Sequence, residues 1–139
     1  MRLIIYADGA SWGNPGPAAI GVVIKDEHRK ELVKISEHIG QGTNNQAEYR
    51  ALIAALKAAS TFKPTEVIIS LDSELVIKQL AGSYRVKSDL LRPLYIEAAG
   101  LLKKFTNLSI NHVRHQDNAE AHALAKMALT QASRKIDSV

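Results

Sequence analysis

The chain has 139 residues, 46% hydrophobic and 23% charged, the balance of one globular domain and not of a disordered segment. It contains no cysteine, which excludes disulfides and thiolate metal sites and fits a reducing, cytoplasmic setting. The formal net charge of +4 permits a polyanionic partner without showing one; no apolar run is long enough to span a bilayer, and the opening MRLIIYADGA lacks a signal-peptide cleavage pattern.

In chain order, Arg2 to Ala7 is a short apolar run ending at Asp8 and followed by the turn-rich GASWGNPGP, which predicts a buried strand. Ala19 to Lys25 and Glu31 to His38 are rich in β-branched residues and flank the polar DEHRK, as in an antiparallel hairpin. The period then changes. Thr43 or Asn44 suits an N-cap, and NQAEYRALIAALKAAS has strong helix composition, with Leu52, Leu56 and Ala59 on one face. Glu66 to Leu71 predicts another buried strand, reaching Asp72, and a short helix runs from Ser73 to Leu80. Ser88 or Asp89 caps a helix through about Lys104, with Pro93 near its start. Leu108 to Val113 reads as the last strand and Asp117 or Asn118 as the start of an alanine-rich helix. The order β-β-β-α-β-α-α-β-α puts a helical crossover between strands three and four, so the sheet is expected to be mixed, with its first three strands antiparallel. No linker divides the chain; one domain is expected over 1–133, with a flexible tail at 134–139.

Asp8 and Asp72 each follow an apolar strand, where α/β sheets collect their chemistry, and Glu48 lies near the start of the first helix. Singly, each has a plainer reading: a turn residue, a helix cap and an acid at the positive end of a helix dipole. Together they would form a cluster whose mutual repulsion calls for a cation, and oxygen-only donors suit magnesium or manganese. Two such ions close together can activate a water and stabilise the leaving oxygen of a phosphodiester. Spacing alone leaves open whether the three residues meet.

Four segments resemble one family in series. YADGASWGNPGPAAIGVVI is similar to the first two strands of ribonuclease H of the type 1 class, and TNNQAEYRALIAAL to its Thr-Asn-Asn-x-x-Glu helix start. ISLDSELVIKQL resembles its strand ending in Asp-Ser, and NAEAHALAKMA its Asn-x-x-Ala-Asp-x-Leu-Ala block. The resemblance implies an α/β ribonuclease H-like fold, a five-stranded mixed sheet with helices on both sides. It also implies hydrolysis of the RNA strand of RNA/DNA hybrids by two metal ions, leaving 5′-phosphate and 3′-hydroxyl ends. On this reading Asp8 bridges the metals, and Glu48 and Asp72 are further ligands. Asn14, Asn45 and Gln46 contact the substrate, their amides suiting a 2′-hydroxyl in a shallow minor groove. Thr43 and Ser88 hold a phosphate of the DNA strand, Ser88 standing where many relatives place asparagine.

The family's fourth acidic ligand falls at His122, because the chain reads Ala-Glu-Ala-His. Glu120, about 200° around the helix from that position, does not replace it. A neutral imidazole can ligate a divalent ion but brings no charge and is softer than carboxylate, which favours manganese over magnesium. A protonated one would repel the metal, so activity is expected to fall as pH drops through the histidine's titration. The chain also lacks the basic protrusion of many bacterial relatives, leaving Arg85, Lys87 and Arg92 to grip substrate diffusely. In the loop before the last helix, His115, with Arg114 as the alternative, matches a mobile residue linked to product release. Trp12 reads as packing in preference to recognition and Tyr84 as a packed aromatic, with stacking on a sugar or base of the DNA strand as its alternative; His28, His38 and His112 read as structural or exposed.

The leading expectation is a monomeric, cytoplasmic hybrid endonuclease with an Asp-Glu-Asp-His site and no membrane or obligate protein partner. The alternative is a catalytically impaired hybrid-binding domain, with His122 marking lost metal chemistry. Three retained carboxylates weigh against it, since a pure binder gains nothing from their repulsion.

Overall fold

The computed structural model describes residues 1–137. Ten-residue strands β1 (Arg2–Ser11) and β2 (Gly16–Lys25) and the longer β3 (Glu31–Gly42) come first, followed by helix α1 (Asn44–Ser60). Then come β4 (Glu66–Leu71), α2 (Glu74–Leu80), α3 (Arg92–Leu102), β5 (Leu108–His112), a 3-10 turn at His115–Asn118 and α4 (Ala119–Asp137). The sheet order is β3-β2-β1-β4-β5. β1 to β3 pair antiparallel, whereas β4 runs parallel to both β1 and β5. This is the mixed five-stranded sheet that the order of elements predicts.

Alternation along the strands divides the residues between two helical layers. Leu3, Ile5 and Ala7 of β1, Ile20, Val22 and Ile24 of β2, and Val67, Ile69 and Leu71 of β4 share one core with Leu52, Leu56 and Ala59 of α1 and Ala98 of α3. Ala19, on the other face of β2, packs with Ala128 and Leu129 of α4. The two layers approach the sheet at glycines. A Cβ on Gly9 would lie 2.1 Å from the backbone of Ala47 in α1, and one on Gly21 would lie 2.0 Å from the Ala121 carbonyl of α4. Gly21 is the cross-strand partner of Asp8, so α4 crosses the sheet directly over that residue.

The structure moves several expected boundaries. β1 continues past Asp8 to Ser11 because its antiparallel ladder with β2 persists to the Ser11–Ala18 pair, whereas its parallel ladder with β4 stops at Tyr6–Ser70. Asp8 is therefore not at a strand end; it sits where β1 has parted from β4 but still holds β2. α3 begins at Arg92, with Leu91 as an N-cap that makes no side-chain bond. Pro93 lacks the N–H that would reach back to Asp89, so the regular ladder starts later than Ser88 or Asp89. Ser88 Oγ instead accepts from Leu91 N–H in the preceding turn. The last helix enters through the 3-10 turn, and α4 proper starts at Ala119. Of the tail expected at 134–139, the backbone of 134–137 forms the end of α4, and 138 and 139 lie outside the described residues. Among the described residues no helix is long and apolar enough to cross a membrane.

Candidate active site

Asp8, Glu48 and Asp72 converge: each offers a carboxylate oxygen, and the three oxygens lie within 4.8 Å of one another. Each arrives on a different element. Asp8 comes from the central strand, Glu48 from the second turn of α1, and Asp72 from the residue after β4. The bare backbone at Gly9 lets α1 come close enough for Gly9 N–H to donate to Glu48 Oε1 at 3.2 Å. Glu48 Oε2 is buried and has no hydrogen-bond partner. On the opposite face α4 delivers His122, whose Nδ1 lies 2.9 Å from Asp8 Oδ2. The 3-10 turn that leads into its helix is tied to β1 by the buried Asn118, whose Nδ2 donates to the Ala7 carbonyl at 2.9 Å. His115 Nδ1 lies 3.2 Å from Asp72 Oδ2, and the two imidazoles meet edge to face at 4.4 Å between ring centres.

The electrostatics follow from this crowding. Burial raises the Asp8 carboxyl above its usual range, and the Asp72 charge adds to the rise; contacts with Glu48 and His122 partly offset it. Glu48 is pushed well above the usual range by burial first and then by the negative charges of Asp8 and Asp72. An ionised cluster of this kind is costly without positive charge. The unpartnered Glu48 oxygen, facing two further carboxylates, fits a hard divalent cation bound through oxygen. His122 is the nitrogen donor adjoining that set. In the tautomer whose Nδ1 carries the proton, His122 donates to Asp8 and keeps an unprotonated Nε2.

The carboxylates floor a cleft of about 590 Å³, also lined by Trp12, Asn44, Arg114, His115, His122 and Lys126. Arg114, the alternative to His115, pairs with Asp117 at 3.0 Å. The remaining expected residues are outside the cleft walls. Thr43 is the N-cap of α1: its Oγ1 accepts from Gln46 N–H at 3.1 Å, and Gln46 Oε1 accepts from Thr43 N–H at 2.8 Å. Asn45 is exposed on the same turn. Asn14 Oδ1 accepts from Asn44 N–H at 3.0 Å, which joins the β1–β2 turn to the start of α1. Ser88 sits in the turn before α3. Arg85 and Arg92 line a second cleft of about 620 Å³ with Tyr84 and Tyr95.

Several site residues escape the sequence reading. Asn44, one of two candidate caps, instead turns its Oδ1 toward Ser11, accepting from the hydroxyl at 2.8 Å and from the backbone N–H at 3.1 Å. The signal was present in the Thr-Asn-Asn run but was spent on capping. Lys126 follows His122 by one helical turn and could have been found from that spacing. His112, read as structural or exposed, borders the cleft. Trp12 and Tyr84 do not pack as expected: both are exposed, and Lys78 Nζ stands 5.0 Å above the Tyr84 ring.

Known proteins match this architecture. The family model described as reverse transcriptase-like covers residues 6–128. Ribonuclease HI of Halobacterium salinarum is 45% identical over 94% of this chain and 66% of its own length. The RNase H1 structure from that archaeon superposes with a TM-score of 0.90 at 44% identity, covering 94% of this chain and 99% of the other. A bifunctional protein of Mycobacterium tuberculosis is 40% identical over 96% of this chain but only 37% of its own length. The chain thus spans 66% of the length of the curated archaeal relative and 37% of the mycobacterial one. An RNase H1 isolated from compost, solved in complex with an RNA/DNA hybrid, is 41% identical with a TM-score of 0.87, over 94% of this chain and 98% of the other. The fold, the order of the motifs and the family model over most of its length agree, and the chain belongs to the ribonuclease H family.

Proposed function

We propose that the chain is a divalent-metal-dependent endonuclease that hydrolyses the RNA strand of RNA/DNA hybrids, leaving 5′-phosphate and 3′-hydroxyl ends. The observation that carries this is the meeting of Asp8, Glu48 and Asp72, with an unpartnered buried oxygen on Glu48. Relatives named ribonuclease H, one of them in complex with an RNA/DNA hybrid, support the choice of substrate.

Asp8, Glu48, Asp72 and His122 would hold two magnesium or manganese ions, Asp8 lying in contact with His122 and within 4.8 Å of the other two carboxylates. When bound, such ions supply an activated water and positive charge for the leaving oxygen of a phosphodiester. The chain's own part is to hold its donors in place. Gly9 N–H fixes one oxygen of Glu48 and leaves the other free. Asp8 would orient the His122 ring, and His115, which lies against Asp72 at the cleft wall, is the candidate for a product-release role, with Arg114 as its alternative. A nitrogen ligand in place of a fourth carboxylate favours manganese.

Asn14 keeps its side-chain N–H donors free of the Asn44 bond, and the exposed Asn45 and the Gln46 amide nitrogen stand on the adjoining turn. These amides would read the 2′-hydroxyls of the RNA strand. Thr43 and Ser88 would hold a DNA-strand phosphate. The cytoplasm is the proposed setting, with which the cysteine-free sequence is compatible, and a monomer the proposed state.

The test is cleavage of a labelled hybrid in magnesium and in manganese, with Asp8→Asn as the blank. Cutting that vanishes in the blank and runs faster in manganese supports the reading. Binding without cutting in either metal would establish the impaired hybrid-binding domain instead.

A further inference from the structure

The cleft has one wall that this chemistry leaves unused. Trp12 is the single tryptophan of the chain; it lines the cleft and stays 46% exposed. Burial of a large apolar side chain is favourable, and an indole held at the lip of a charged cleft forgoes much of that gain. Exposed aromatics of this kind mark contact surface when they stand in a cleft. The backbone that carries the ring is held tightly. Trp12 N–H donates to the Pro17 carbonyl at 2.8 Å, and the turn closes so closely that a Cβ on Gly16 would lie 2.0 Å from the Trp12 carbonyl oxygen. A side chain presented from fixed backbone loses little entropy when a ligand covers it.

The chemistry of the occupant follows from what surrounds the ring. The floor of the cleft is carboxylate and imidazole, suited to a phosphate through cations, while Trp12 and Leu129 are its large apolar wall residues. A nucleic-acid strand alternates anionic phosphates with riboses, whose C–H faces are apolar. Bases paired in a hybrid are already stacked on one another and offer no free face to an indole, whereas the ribose does.

We propose that Trp12 is a substrate-binding contact whose indole packs flat on a ribose of the RNA strand beside the bond that is cut. The proposal rests on the ribonuclease reading above. Trp12→Ala raises KM for the hybrid about tenfold and changes kcat by no more than about twofold, the size expected for truncating one covered aromatic anchor. Trp12→Phe recovers most of the loss. An indole that only fills space at the turn would move neither constant.

The direct measurement uses the full chain carrying Asp8→Asn, which keeps the hybrid whole. A short end-labelled RNA/DNA hybrid is titrated in magnesium while its anisotropy and the fluorescence of the one tryptophan are followed together. Anisotropy and quenching of Trp12 that rise in step, with one midpoint, support the proposal. Rising anisotropy with unchanged tryptophan emission overturns the Trp12 contact and leaves the ribonuclease reading standing. No anisotropy change at any concentration overturns both.

Discussion

Asp8→Asn should stabilise the cation-free protein while abolishing cleavage. Three carboxylate oxygens lie within 4.8 Å of one another. At that separation and an effective dielectric near 20, a like-charged pair repels by roughly 3–4 kcal/mol. Bound protons relieve part of this, because burial and neighbouring charge raise both Asp8 and Glu48 above the usual carboxylate range. The unfolded chain releases those protons in the ordinary carboxylate range, while the folded chain holds them to higher pH. The folded form therefore binds more protons in that window, and stability falls as pH rises through it. The asparagine removes one titrating group and keeps an oxygen for His122. At about pH 8, without divalent ions, the variant should exceed the parent by about 1–3 kcal/mol, or about 3–10 °C in Tm for a domain of this size. The gap should shrink at about pH 4, where the raised Asp8 and Glu48 carboxyls hold protons in the folded chain and their mutual repulsion is relieved. Magnesium should raise the Tm of the parent more than that of the variant, since only the parent keeps the full ligand set. Thermal melts followed by circular dichroism read all three effects. A variant that melts below the parent at about pH 8 without metal would refute the reasoning.

Further expectations follow from the same geometry. His122→Asp replaces a neutral nitrogen donor with a carboxylate, so the ratio of manganese- to magnesium-supported rates should fall; an unchanged ratio and rate would remove His122 from the site. Because Asp8 and Glu48 must lose protons to ligate, apparent metal affinity should weaken as pH falls through their raised values, with proton release on binding visible by calorimetry in buffers of different ionisation heat. Gly21→Ala pushes a methyl to 2.0 Å from the Ala121 carbonyl, which should cost about 1–3 kcal/mol and lower activity by moving His122 off Asp8. Unchanged stability in urea titration would show that α4 can yield without cost. Tyr49→Phe removes a buried hydroxyl that donates to Gln79 and leaves that amide oxygen unpaired, for a loss of about 1–3 kcal/mol with metal dependence unaltered.

Much of the fold was legible because its signals are local. The change from period two to a helical period at Asn44, the two apolar runs ending near Asp8 and Asp72, and the crossover between strands three and four predict the mixed sheet and place two acids together. The convergence with Glu48 was not legible from spacing. It depends on how closely α1 approaches β1, which the missing Cβ of Gly9 permits. The position of Asp8 was read as a strand end because its hydrophobic run stops there. The ladder to β2 needs only backbone and continues through small residues to Ser11. The exposure of Trp12 was equally hidden, since the direction of a side chain at the lip of a turn is set by the Trp12–Pro17 closure and not by composition. His122 was found only because its neighbours match a motif; its contact with Asp8 depends on α4 crossing at Gly21.

The most direct test of the account labels each strand of an RNA/DNA hybrid in turn, and the matching RNA and DNA duplexes, and follows cutting in manganese. The account predicts cleavage of the RNA strand within the hybrid alone, with 5′-phosphate ends and none by Asp8→Asn. Cutting of the DNA strand, equal cutting of the RNA duplex, or cleavage that survives Asp8→Asn would contradict it.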